Sequence, residues 1–181
     1  MTFGSSSKMF VAWAQGVMGQ GQTSAVLPAA SGNASSLYQG LGSDTVKVAL
    51  FNDTTTPDNT AARTSTGFNT GVWTHNAGGG NEVIDSAGSN WPTGGQTLAS
   101  KTLTTSTNVF TFSAANLAGS GNVTISNAYG CFLYDDNITA GTGGVADQGI
   151  CFNAFGSGQS VTAGTFTIVW NGSGIFTVTC S

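Results

Sequence analysis

Thr45-Val46-Lys47-Val48-Ala49-Leu50-Phe51 carries the clearest strand pattern in the chain. Val46, Val48 and Leu50 alternate with Thr45, Lys47 and Ala49, the two-residue period of a strand that buries one face. Asp53 to Asn59, with Pro57, ends it. Downstream, strand signals recur at Thr97 to Thr104, Val109 to Phe112, Val123 to Ser126, Tyr129 to Tyr134, Gly149 to Phe155, Thr165 to Trp170 and Ile175 to Cys180. Short strands at this spacing, separated by turn residues, predict an all-β domain of the β-sandwich or jelly-roll-like kind. At the C-terminus, Phe166, Ile168 and Trp170 alternate up to Asn171-Gly172-Ser173-Gly174, and Phe176, Val178 and Cys180 alternate after it, which predicts a hairpin.

Upstream the pattern changes. From Lys8 to Gln20, Phe10, Trp13, Ala14 and Val17 recur at helical spacing, with Ser5 to Ser7 as N-cap and Gly21 as stop. A helix of about 12 residues is marginal alone, so its Met9, Phe10, Trp13 and Val17 face is expected to dock on a partner. Residues 19–43 are rich in Gly, Ser, Ala and Gln without a period, as in an extended arm. The expected organisation is therefore a helix and arm over 1–43 and a β-rich domain over 44–181. Between Ala61 and Gly95 the chain is irregular, and Trp73 and Trp91 in it are candidate surface contacts.

Composition excludes several functions. The 181 residues include only Lys8, Lys47, Arg63 and Lys101 as cations, and the net charge is −4, a poor match for a row of phosphates. Nucleic acid is not an expected partner. No apolar run reaches the ~18 residues of a membrane-spanning helix. Charged residues are 7% of the chain against about 25% in ordinary domains, so its surface is built from Ser, Thr, Asn and Gln. Glycine, at 27 residues, is about twice its usual share of roughly 7%, an entropic cost that partner burial would offset.

Residues that carry chemistry are few. His75 is the only histidine, and no Gly-x-Ser-x-Gly elbow accompanies it. Glu82 with Asp85, or Asp135 with Asp136, are the paired carboxylates a glycosidase would need, and both pairs read as solvated turns. Asp135-Asp136-Asn137 offers oxygens to calcium without the other positions of a binding loop. Cys131, Cys151 and Cys180 lack metal spacing and read as reduced, buried thiols. No catalytic residue, cofactor or metal is expected.

From about Asp44 onward, the order of motifs resembles the small β-rich structural proteins of tailed bacteriophages, notably those of actinobacteria. The blocks that carry the resemblance are VKVALFND (Val46 to Asp53), NEV (Asn81 to Val83), NWPTGGQTL (Asn90 to Leu98), AYGCFLYDD (Ala128 to Asp136), VADQGICFNAFG (Val145 to Gly156) and VTAGTFTIVWNGSGIF (Val161 to Phe176). The resemblance implies a virion component made in a host cytoplasm. It further implies a capsid decoration, or cement, protein with the major capsid protein and its own copies as partners, in a homo-oligomer such as a trimer. A tail or fibre module that touches the host envelope and binds sugar through exposed rings is the alternative.

Overall fold

The computed structural model describes residues 7–11, 41–75, 79–87, 89–138 and 145–179. Strands dominate them, all pairings are antiparallel, and helix is almost absent, as expected for an all-β chain. In chain order the strands are β1 (Lys8–Met9), β2 (Val46–Phe51), β3 (Glu82–Val83), β4 (Gln96–Thr97), β5 (Thr102–Ser106), β6 (Val109–Ser113), β7 (Leu117–Ala118), β8 (Val123–Asp135), β9 (Gln148–Gly164), β10 (Thr167–Ile168) and β11 (Phe176–Thr179). The main sheet runs β1-β9-β8-β2-β3, with β4 also on β2. Two smaller sheets, β11-β6-β5 and β10-β7, stand beside it.

Strand β2 is buried on both faces rather than one. Val46, Val48 and Leu50 are inaccessible, and so are Ala49 and Phe51 on the other side. The reason is a second layer that the irregular segment supplies. Trp73 stacks on Phe132 at 4.4 Å between ring centroids and meets Phe51 edge-on at 5.1 Å. Phe68 stacks on Tyr134 at 4.8 Å. Each such ring pair contributes about 0.5–1.5 kcal/mol beyond the area it buries. The glycine-rich loop is thus folded over the sheet, and one hydrophobic cluster runs from Phe10 to Ile168.

The longest pairing is between β8 and β9, and it is irregular. The register shifts four times, and Asn127 takes a positive φ of 54° where β8 would otherwise run straight. Such bulges bend a ribbon and fix its register. They join Val123 to Ser126 and Tyr129 to Tyr134, which read as separate strands, into one. Strand β9 continues past Phe155, where the strand signal ends, to Gly164, and a side chain on Gly158 would run into the Tyr129 ring.

Two local expectations are corrected. Lys8 and Met9, where the helix was to begin, are extended and pair with Phe152 and Cys151 of β9. Phe10 follows them into the core, fully buried, with its N–H on the Ile150 carbonyl at 3.0 Å. Burying that ring contributes roughly 1.5–3 kcal/mol, more than a marginal short helix gains locally. Residues 12–20, with Trp13 and Val17, lie outside the described residues. At the other end, β10 pairs with β7 and β11 pairs with β6, so the predicted hairpin does not form. The Asn171–Gly174 turn is present, closed by Gly174 N–H to the Asn171 carbonyl, but it sends the two strands to different sheets.

Candidate functional site

Of the rings expected at a partner surface, the three among the described residues are in the core. Phe10, Trp73 and Trp91 are at most 1% exposed, and Met9 is half-buried. Small hydrogen-bonded turns hold the two tryptophans inward: Trp73 N–H reaches the Thr70 carbonyl at 2.9 Å, and the Trp91 carbonyl accepts Asp85 N–H at 2.9 Å. Trp91 then meets Phe166 edge-on. The loops read as surface because of their Gly and Asn content, but that content is what lets them lie flat on the sheet.

Glu82 and Asp85, expected in a solvated turn, are buried as well. Glu82, 2% exposed, accepts Gly94 N–H at 2.6 Å, and the Gly94 carbonyl accepts Tyr134 O–H at 2.8 Å. Together they fix the Pro92–Gly95 turn against β2. Burial first, and then Asp136, Asp147 and Glu82, push the Tyr134 phenol well above its usual range. Asp85 accepts Thr124 N–H at 2.9 Å and Asn90 N–H at 3.3 Å, and the Thr124 bond, the largest influence, holds its carboxyl below the usual range. These acids act as acceptors that satisfy loop amides.

Asp135 and Asp136 part company. Asp136 is half-exposed and pairs with Lys47 at 2.9 Å. Asp135 is 1% exposed, and so is Asp44. Burial above all, aided by the Asp44 charge, pushes Asp135 up to about 7. Asn137 N–H donates to Asp135, and Asn137 Oδ1 accepts from Thr45 N–H, so the three residues considered for calcium are engaged with the protein itself. Sequence reading missed Asp44. Its one signal was position, two residues before a buried strand residue and on the same face.

Cys131 and Cys151 are free and buried, and burial pushes the Cys131 thiol up to about 12 and Cys151 well above its usual range. His75 lies in the loop after Trp73, with its N–H near Asn69 Oδ1 at 3.5 Å. An open groove of about 570 Å³ runs past Asn52, Asp53, Thr54, Glu82, Ser86 and Asn127. It brings Asp53 and Glu82 to one surface, a pair the sequence did not single out.

The most exposed ordered element is the β5-β6-β11 sheet. All five residues of β5 are exposed, and β5 pairs on one side only among the described residues. Register places Leu103, Phe112 and Phe176 in one row and Thr105, Phe110 and Val178 in another on the same face. Phe112 is buried, while Leu103 and Val178 are 41% and 36% exposed. The opposite face carries Thr102, Thr104, Thr111, Thr177 and Thr179. The chain matches no family model, no curated protein and no solved structure.

Proposed function

We propose that the chain works by binding other proteins, without catalysis, as a decoration protein that fastens neighbouring major capsid subunits of a tailed phage and associates with its own copies. The observation that carries the binding reading is the β5-β6-β11 sheet. Thr102–Ser106 contains no charge and no proline, the usual devices by which natural edge strands avoid pairing with another chain. An open, uncharged edge beside exposed Leu103 and Val178 suits strand addition by a partner. Area buried across such a joint stabilises the assembled state by mass action alone.

The phage assignment rests on the sequence blocks. They fall on β2, β3, the Pro92–Gly95 turn, the second half of β8 and both ends of β9, all in the main sheet or against it, and on β10 and the Asn171–Gly174 turn outside it. The smaller sheets share one hydrophobic cluster with it, which supports a sandwich-like arrangement. Burial of Trp73 and Trp91 weighs against the tail or fibre alternative, because it removes two of the rings a sugar platform would use.

Quantitative mass spectrometry of purified particles tests the reading. A decoration protein is present at abundance comparable to the major capsid protein, and particles lacking it open at lower temperature. Few copies per particle, unchanged particle stability and lost adsorption to cells would instead establish the tail module. Thr104→Lys, which places a charge on the open edge, is expected to weaken attachment while leaving the melting temperature within a few degrees of wild type.

A further inference from the structure

Strand β5 leaves one edge open, and the turn after it decides which main-chain groups stand there. Thr107 and Asn108 take positive φ values of 32° and 64°, the two-residue turn whose twist suits a hairpin. In such a hairpin the flanking residues, Ser106 and Val109, exchange both main-chain bonds, and bonded pairs then alternate with unbonded ones along the ladder. Thr102, Thr104 and Ser106 therefore turn their N–H and C=O groups toward β6. Leu103 and Thr105 turn theirs to the open edge, where no strand pairs with them among the described residues.

The side chains around that edge suit a neighbour of the same composition. Residues 102–113 and 176–179, which make up the sheet and its turn, include no charged side chain. Lys101 lies just outside, with its Nζ on the Leu98 carbonyl at 3.4 Å. All five β5 residues are exposed, Leu103 among them even with Gly42 beside its side chain. A strand that meets its own copy across a two-fold axis sets each residue near its own kind, so a charge at its centre would face a like charge. This edge carries none.

We propose that the partner at this edge is a second copy of the chain, its β5 running antiparallel to the first about a two-fold axis at Thr104; this rests on the strand-addition reading above and names its occupant. The register sets Leu103 of each copy opposite Thr105 of the other, so every main-chain group that faces the edge within the strand is used, in about four hydrogen bonds. An axis at Leu103 or at Thr105 would instead draw in Lys101 or Thr107, beyond the strand ends. Thr104 meets its own copy as an unbonded pair, with Cα atoms about 4.5 Å apart. The two Leu103 side chains become diagonal neighbours on one face, within reach of each other. The joint is isologous and closes as a dimer, whereas a trimer would need a second surface. Five residues make a small joint, so the dimer is expected to depend on concentration.

Cross-linking of the full chain reads the register. In a Cys180→Ser background, with Cys131 and Cys151 buried, Thr104→Cys under mild oxidation should give a disulfide-linked dimer, because the facing pair falls within the Cα reach of a disulfide. Thr102→Cys, opposite Ser106 of the other copy, should give at least about tenfold less. Sedimentation is the second readout: Thr104→Lys and Thr104→Glu should each weaken dimerisation at least about tenfold, and an equal mixture of the two should restore it. Wild type that stays monomeric at every concentration, linked dimer at equal yield from both cysteine variants, or a mixture without rescue overturns the proposal. Its failure is distinct from failure of the capsid reading. If Thr104→Cys forms no dimer yet Thr104→Lys still weakens attachment to particles, self-pairing falls and strand addition by the capsid protein stands. A linked dimer from a chain that purified particles lack would keep the pairing and sink the capsid reading.

Discussion

Phe10 stands edge-on to Trp73, with ring centroids 5.7 Å apart and planes at 88°, although 63 positions separate them in the chain. The segment before the main domain therefore supplies a core ring. Phe10→Ala is expected to cost ~3–5 kcal/mol in chemical unfolding, the range for a buried phenylalanine. Deleting the chain through Val11 should do at least as much. A truncated protein with wild-type stability would mean that the ring is dispensable and that the segment is a detachable arm.

Cys131 and Cys151 should resist alkylation in the folded protein and react on unfolding, because buried, protonated thiols are poor nucleophiles. Mass spectrometry of iodoacetamide-treated protein, native against denatured, reads this directly. Rapid native labelling of either residue would show that the centre of β8 or β9 is open to solvent.

Gly95 has a φ of +76°, and a side-chain carbon there would overlap the Val48 carbonyl of β2. Gly95→Ala should destabilise by about 1–3 kcal/mol from backbone strain, with the overlap adding to it. Gly172, with open space around it, is the control: Gly172→Ala should leave the melting temperature nearly unchanged.

Asp85 is expected to contribute to the acid side of the stability profile. Its depressed carboxyl pKa means that the stability it contributes is present above about pH 4 and is lost as pH falls through the folded value. In thermal melts from about pH 5 to pH 2, Asp85→Asn should show a shallower decline than wild type. Parallel declines would assign the acid limb to other groups.

Asp53 and Glu82 are the two acids lining one groove, and a glycoside hydrolase would need two carboxylates facing it. Glu82 is already committed to Gly94 N–H, so wild type should release no reducing sugar from polysaccharide, and Asp53→Asn with Glu82→Gln should change nothing in that assay. Hydrolysis by wild type that the double variant abolishes would make the chain an enzyme.

Strand content was legible because alternation is local: Val46 to Phe51 declares a strand whatever surrounds it. Partnership was not. Phe166 to Trp170 and Phe176 to Cys180 carry a hairpin pattern, yet Ile168 pairs with Leu117, and Phe176 pairs with Phe112. Alternation records which face a side chain takes and contains nothing about the neighbouring strand. Lys8 and Met9 failed for a related reason: in so short a run, spacing that fits a helix also fits an extended edge.

The candidate site was less legible than the fold. Trp73, Trp91, Glu82 and Asp85 sit among Gly, Asn and Ser, a composition that usually marks exposed turns. Here those loops form a layer on the sheet, so their rings turn inward and their carboxylates accept from backbone amides 12 to 39 residues away. The exposed β5 edge was visible as a strand, but its exposure depends on which side β6 occupies.

The difference in pairing between β1 and β2 gives the molecule a direction of mechanical weakness. Tension entering at Lys8 meets a two-residue edge strand and peels it from β9 bond by bond. The same tension along β2 must shear a six-residue strand held by β8 on one side and by β4 and β3 on the other, breaking its bonds together. Under load the N-terminal strand is the fuse: it yields first, exposing Phe10 and the aromatic layer while the centre of the sheet still bears force.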